Sequence, residues 1–169
     1  MIILKPITYF LLNSKTSYLY NIIRSQPLIQ IEPIYCIFNY DKTYDIFRYK
    51  SKNRRKLKRM IYFKDTVEDH HIIPKEFNKH VLIKELNYDI SSSKNIYILP
   101  KPICSHFLND KNIIYHQSHP KYNKYIYKSL NELYKIECMD EKKYQFILFL
   151  YYLKDGFEKN EDFIKKMMC

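Results

Sequence analysis

Three short stretches concentrate the residues able to do chemistry. Asp69-His70-His71-Ile72-Ile73-Pro74 places two adjacent imidazoles at the head of an apolar run that a proline stops. Lys94-Asn95-Ile96-Tyr97-Ile98-Leu99-Pro100 puts an amide side chain before a second apolar run, and His116-Gln117-Ser118-His119-Pro120-Lys121-Tyr122 brings two more imidazoles to a helix start. Imidazole ligates first-row ions and accepts protons near neutral pH. Together the three supply what a one-metal phosphodiesterase needs: ligands, a general base and something to hold the base. Neighbours on a strand point to opposite faces, so His70 and His71 divide these tasks only if the strand kinks or ends there. Pro74 and the polar run after it are consistent with an end. His80 and His106 stand alone and read as structural or surface residues.

The elements that must position these groups follow from periodicity. The run from residue 61 to residue 68 leads into the strand of the two histidines. Glu76 to Asn87 has helical spacing at Phe77, Val81, Leu82 and Leu86, Ser91-Ser92-Ser93 makes a loop, and Ile96 to Leu99 forms a second strand ended by Pro100. Residues 101–114 read as irregular. Pro120 suits the first helical position, after which Tyr122, Tyr125, Ile126, Leu130 and Leu133 make one apolar face. Two further helices are predicted, roughly Glu141 to Lys154 and Asn160 to Met168, divided by the single glycine, Gly156, at a position that favours a positive φ. Upstream, residues 14–23 have helical spacing, and residues 28–39 and 43–49 read as a β-hairpin.

Between that hairpin and the His-His strand lies a basic run. Arg48, Arg54, Arg55, Lys56, Lys58 and Arg59 fall in it with almost no acid nearby. Such a run is either a solvated face or a phosphate-binding stripe. Six phosphate contacts would give a slope of log affinity against log salt of about −5. The formal charge of +11 and a sequence pI near 9.3 favour a polyanionic partner, nucleic acid before anionic membrane. Part of the lysine excess tracks AT-rich codons: the 169 residues include no alanine and one glycine but 18 tyrosines. Cys36, Cys104, Cys138 and Cys169 are far apart and read as reduced thiols. The apolar start is interrupted by Lys5 and Pro6, which makes a poor signal peptide and too short a span for a bilayer. A soluble intracellular protein is expected, in the host cytoplasm or nucleus if the gene is viral.

The three stretches resemble an HNH nuclease of the His-Me finger (ββα-metal) superfamily, closest to its branch with a conserved Ala-His-His motif. That pattern is a His-His-Ile-x-Pro strand, an asparagine before a second strand ending Leu-Pro, and a His-rich element followed by Pro-x-Tyr and a helix. The resemblance covers about residues 69–133. It implies an α+β fold: a ββα-metal core over residues 61–137, an N-terminal extension of helix, hairpin and basic run over 1–60, and C-terminal helices over 138–169, all one compact unit. It also implies that His70 is a metal ligand and that His119 and His116 complete the site. His71 would be the general base, with a pKa near neutrality, and Asn95 would brace the loop and orient it. One divalent ion is implied, Mg²⁺, Zn²⁺, Ni²⁺ or Mn²⁺.

Two departures from the pattern stand out. Asp69 replaces the alanine, either without effect or as an extra carboxylate near the metal. The His116–His119 spacing is one residue shorter than the usual His-x-x-x-His, so with Pro120 first in the helix His119 sits at the cap and His116 in the turn before it.

The resulting expectation is a metal-dependent endonuclease that hydrolyses phosphodiester bonds of nucleic acid, with double-stranded DNA the leading substrate and no membrane partner. The alternative is a catalytically inactive nucleic-acid-binding protein on a degenerate HNH fold. A zinc-stabilised structural protein is a third class, and the charge argues against it.

Overall fold

The computed structural model describes residues 45–61, 66–106, 113–159 and 161–168. The helix over 14–23 and the strand over 28–39 lie outside the described residues. In chain order the described elements are α1 (Lys52–Ile61), β1 (Val67–His71), a 3₁₀ turn (Lys75–Lys79), α2 (Val81–Glu85), a 3₁₀ turn (Ser93–Asn95), β2 (Ile96–Pro100), a 3₁₀ turn (Pro102–His106), α3 (Pro120–Tyr134), α4 (Met139–Lys159) and α5 (Asp162–Met168). The class is α+β, built of a two-stranded antiparallel sheet and helices. No helix among the described residues is long and apolar enough to cross a membrane.

β1 is a polar strand, Val-Glu-Asp-His-His, and of its five residues only the two histidines are buried. Its partner β2 is apolar, and the register pairs His71 with Ile96, His70 with Tyr97 and Asp69 with Ile98. Because β1 ends at His71, the two imidazoles can part company. The chain then turns inward through Ile72 and Ile73, both fully buried.

α3 begins at Pro120, whose fixed φ suits the first helical position, with His119 as its N-cap. Tyr122, Ile126 and Leu130 recur every four residues as its buried face. The Tyr122 hydroxyl donates to the Ile72 carbonyl at 2.7 Å and so ties this helix to the end of β1. Ile72, Ile73, Leu82, Leu86, Phe146, Leu153, Phe157 and Ile164 complete a continuous apolar core around that joint.

Four local expectations are corrected. Residues 45–49 are turns rather than a strand: Lys50 has φ 63°, and Asp45 and Tyr49 are hydrogen-bonded into the loop over 89–93. Glu76 to Asn87 is not one helix. His80 is extended (φ −61°, ψ 138°), and its Nδ1 accepts from the Leu82 amide at 3.2 Å, so it ends the first turn and caps α2. Its structural role is thus the expected one, reinforced by a contact of 3.1 Å with Asn131 Oδ1. Residues 102–106, placed in an irregular segment, form a short 3₁₀ turn.

Finally, α4 runs unbroken through Gly156, which has no positive φ. A Cβ at that position would lie 2.8 Å from Ile164 Cγ1 and 2.9 Å from Phe163 Cζ. The glycine marks close approach of α5 to α4, not a helix end.

Candidate metal and catalytic centre

His70 is 1% exposed and projects from β1 toward α3 and α4. Its ring centroid lies 5.5 Å from that of His116, 4.9 Å from His119, 5.3 Å from Tyr122 and 4.9 Å from Phe157. One nitrogen from each of His70, His116 and His119 falls within 4.8 Å of the others, near enough to share one ion. The donor set suits a metal on other grounds too. Neither ring nitrogen of His70 has a hydrogen-bond partner although both are buried, and an unmet buried polar group is costly unless something occupies it.

His119 and His116 are each held from behind. His119 Nδ1 lies 2.8 Å from Asn123 Oδ1. His116 Nδ1 lies 3.4 Å from Glu68 Oε2. In both, the Nδ1 side meets an acceptor, the arrangement that leaves Nε2 with its lone pair for a ligand bond. Sequence reasoning missed both partners, yet each had a signal: Asn123 follows His119 by four residues, one helical turn, and Glu68 precedes His70 by two, the same face of a strand. The short His116–His119 spacing does not remove His116 from the cluster. His116 precedes the helix, and its amide donates to the Pro100 carbonyl at the end of β2 at 2.8 Å. Its place is therefore set by the sheet rather than by helical register.

Burial, followed by the repulsion of His119, His116 and His71, pushes the His70 pKa well below its ordinary value. Burial is also the main cause of the lowered pKa of His116, which Glu68 partly opposes. Both therefore present neutral imidazoles at physiological pH, the form that ligates.

His71 stands apart from these three. It is 9% exposed, its Nε2 is buried without a hydrogen-bond partner, and the ring meets Tyr49 edge-on at 4.4 Å between centroids. Its pKa does not stay near neutrality: burial, then the Lys75 ammonium, pulls it to about 4, with Arg54 adding to and Asp69 opposing the shift.

Asn95, fully buried, braces the backbone just beyond His71. Its Oδ1 accepts from the Ile73 amide at 2.8 Å, and its Nδ2 donates to the Ile73 carbonyl at 3.0 Å and the Ile90 carbonyl at 2.8 Å. Its own carbonyl accepts from the Ile72 amide at 2.9 Å.

The basic run forms α1, started by Ser51, whose hydroxyl accepts from the Arg54 amide at 3.1 Å. Its cations separate into two groups. Arg55, Lys56 and Arg59 are exposed. Arg54 is 6% exposed and lies 2.9 Å from Asp69, which Lys58 approaches at 3.4 Å, while Arg48 pairs with Asp89. Asp69 is not among the clustered metal-ligand candidates; its carboxylate answers the cations of α1. No curated protein and no solved structure matches the chain. Residues 53–147, more than half of the chain, match the model of the AHH family, a nuclease family of the HNH/Endo VII superfamily with conserved Ala-His-His, and the chain belongs to that family.

Proposed function

We propose that the chain is a metal-dependent endonuclease that hydrolyses phosphodiester bonds of double-stranded DNA, using His71 as the general base. The observation that carries this reading is the parting of two adjacent histidines. His70 joins His116 and His119 on one side of β1, while His71 ends the strand alone beside Tyr49. The order of two antiparallel strands and then α3 supports a ββα-metal reading, in which the ligands would come from β1 and from around the start of α3.

His70, His116 and His119 would hold the ion, which as a Lewis acid would stabilise charge developing on the scissile phosphate and the leaving 3′ oxygen. The remaining steps belong to the chain's own residues. His71 is neutral at pH 7 and has a free, buried Nε2 to take the proton of the attacking water. A base of pKa about 4 is weak, but Lys75, the cation that most depresses it, is exposed and is the one a bound phosphate would neutralise, so substrate binding strengthens the base. Asn95 fixes His71 through the backbone of Ile72 and Ile73. The apolar ring of Phe157 covers His70, and Arg55, Lys56 and Arg59 offer exposed charge to the nucleic-acid backbone.

Plasmid nicking with added divalent ions tests the proposal. Wild type should cleave with metal and stop with chelator, and His71→Ala should lose about 10²–10⁴ in turnover with an unchanged melting curve. Undiminished cleavage by His71→Ala refutes the base assignment. Binding without cleavage at any metal instead establishes a non-catalytic nucleic-acid-binding protein.

A further inference from the structure

The family match begins at residue 53, yet the turn just before it reaches into the centre of the site. That turn is tied down at several points. Asp45, 6% exposed, accepts from the Ser93 amide through Oδ2 at 2.7 Å, the Tyr49 amide donates to the Ser91 carbonyl at 3.0 Å, and Arg48 pairs with Asp89. All three tethers lead to the loop that ends in Asn95. Lys50 then takes a left-handed conformation, φ 63°, which a non-glycine residue adopts at a cost and keeps only where its surroundings over-determine it. The reversal lets Ser51 start α1 directly after Tyr49 has met His71.

Tyr49 has a second neighbour. Lys75, exposed and the first residue after Pro74, carries its Nζ over the Tyr49 ring at 4.6 Å from the centroid. An ammonium at that distance is held by the ring quadrupole, more firmly than a free surface lysine. The result is a column of imidazole, phenol ring and ammonium, with the two aromatic rings meeting edge to face.

We propose that the turn 45–51 is a working part of the active centre, in which Tyr49 positions the His71 ring and carries Lys75 at the mouth of the site to take a phosphate of the substrate backbone. This rests on the nuclease reading and adds a phosphate subsite to it. The subsite takes one phosphodiester anion next to the bond being cut, and Tyr49, which need not touch substrate, is a positioning residue.

The experiment is a double-mutant cycle in the full chain with metal present. It reads kcat and KM for cleavage of a supercoiled plasmid, binding of a labelled duplex across a salt series, and thermal melting. Lys75→Ala should raise KM by about 3- to 10-fold and make the log–log salt dependence shallower by about 0.9, the value of one phosphate contact. Tyr49→Leu should lower kcat by about 10- to 100-fold through the loosened His71 ring. Tyr49→Phe, which keeps the ring, should restore most of that loss. In the Tyr49→Leu background, Lys75→Ala should have less than half its effect on KM, since the ammonium has lost its platform. A buried scaffold residue with no role in the site would lower the melting temperature without this coupling. If wild type cleaves and His71→Ala does not, while Tyr49→Leu retains wild-type kcat or its effect on KM simply adds to that of Lys75→Ala, the inference is overturned and the nuclease reading stands. If wild type cleaves with no metal tested, both are overturned.

Discussion

Replacing Asp69 by alanine would restore the residue that names the family, and it should damage this chain. Arg54 and Asp69 have side chains 7% and 12% exposed, with 2.9 Å between Arg54 Nη2 and Asp69 Oδ1. The guanidinium cannot swing into water without opening the contact between α1 and β1. Lys58, at 3.4 Å and 23% exposed, can. Removing the carboxylate therefore strands one buried cation, and breaking such a pair costs about 3–5 kcal/mol. The Arg54–Asp69 contact is also poorly aligned for a hydrogen bond, which places Asp69→Ala near the low end, about 3 kcal/mol. Removing both charges should be far milder, because a buried ion pair is often replaceable by apolar groups of similar volume at little net cost. Arg54→Leu with Asp69→Ala should thus lie within about 1 kcal/mol of wild type, so the double variant should be about 2 kcal/mol more stable than Asp69→Ala alone. Urea unfolding of wild type, both single variants and the double variant reads these values. A cost for Asp69→Ala of only about 0.5 kcal/mol, as for an ordinary surface change, would refute the claim that this carboxylate holds α1 on β1.

Two further outcomes follow from the same geometry. In the absence of metal, His70, His71 and His116 are kept neutral by the fold at pH values where an unfolded imidazole takes a proton. A base with a depressed folded pKa contributes stability that is full above pH 6.5 and lost as the pH falls toward the folded value. The free energy of urea unfolding should therefore decline from pH 6.5 toward about 4 by about 1.4 kcal/mol per pH unit for His71, with His70 and His116 adding to the decline; a flat profile over that window refutes the burial argument. On the surface of α1, replacing Arg55, Lys56 and Arg59 together by alanine should make the log–log salt dependence of duplex binding shallower by about 3, whereas Arg54→Leu should leave it unchanged, as titration of a labelled duplex over a salt series would show.

Much of the site was legible in the sequence because its residues are bound to local elements with strong periodicity. The end of β1 at His71, the strand Ile96–Pro100 and the start of α3 at Pro120 were all readable from proline placement and apolar runs. The grouping of His70, His116 and His119 came from the family pattern and is matched by their convergence. What was not legible depends on contacts distant in sequence. The bond of the His116 amide to Pro100, the pairing of Arg54 with Asp69 and the approach of Tyr49 to His71 leave no periodic trace. Gly156 misled for a related reason: glycine serves both a positive φ and close packing, and only the position of α5 decides between them. The pKa of His71 likewise depends on burial and on Lys75, neither of which spacing reveals.

The second half of α4 has a bearing on where this nuclease can be cut from its own chain. Phe157 packs on His70, on Tyr97 at 5.5 Å and on Tyr122 at 5.8 Å, and Gln117 Nε2, between the two downstream histidines, donates to the Met168 carbonyl at 2.8 Å. All of those partners lie inside residues 53–147, while Phe157 and Met168 lie outside. The stretch recognisable as a family member is therefore shorter than the stretch that encloses its histidines, and a fragment trimmed to the recognisable part would expose His70 to water and free the segment bearing His116 and His119.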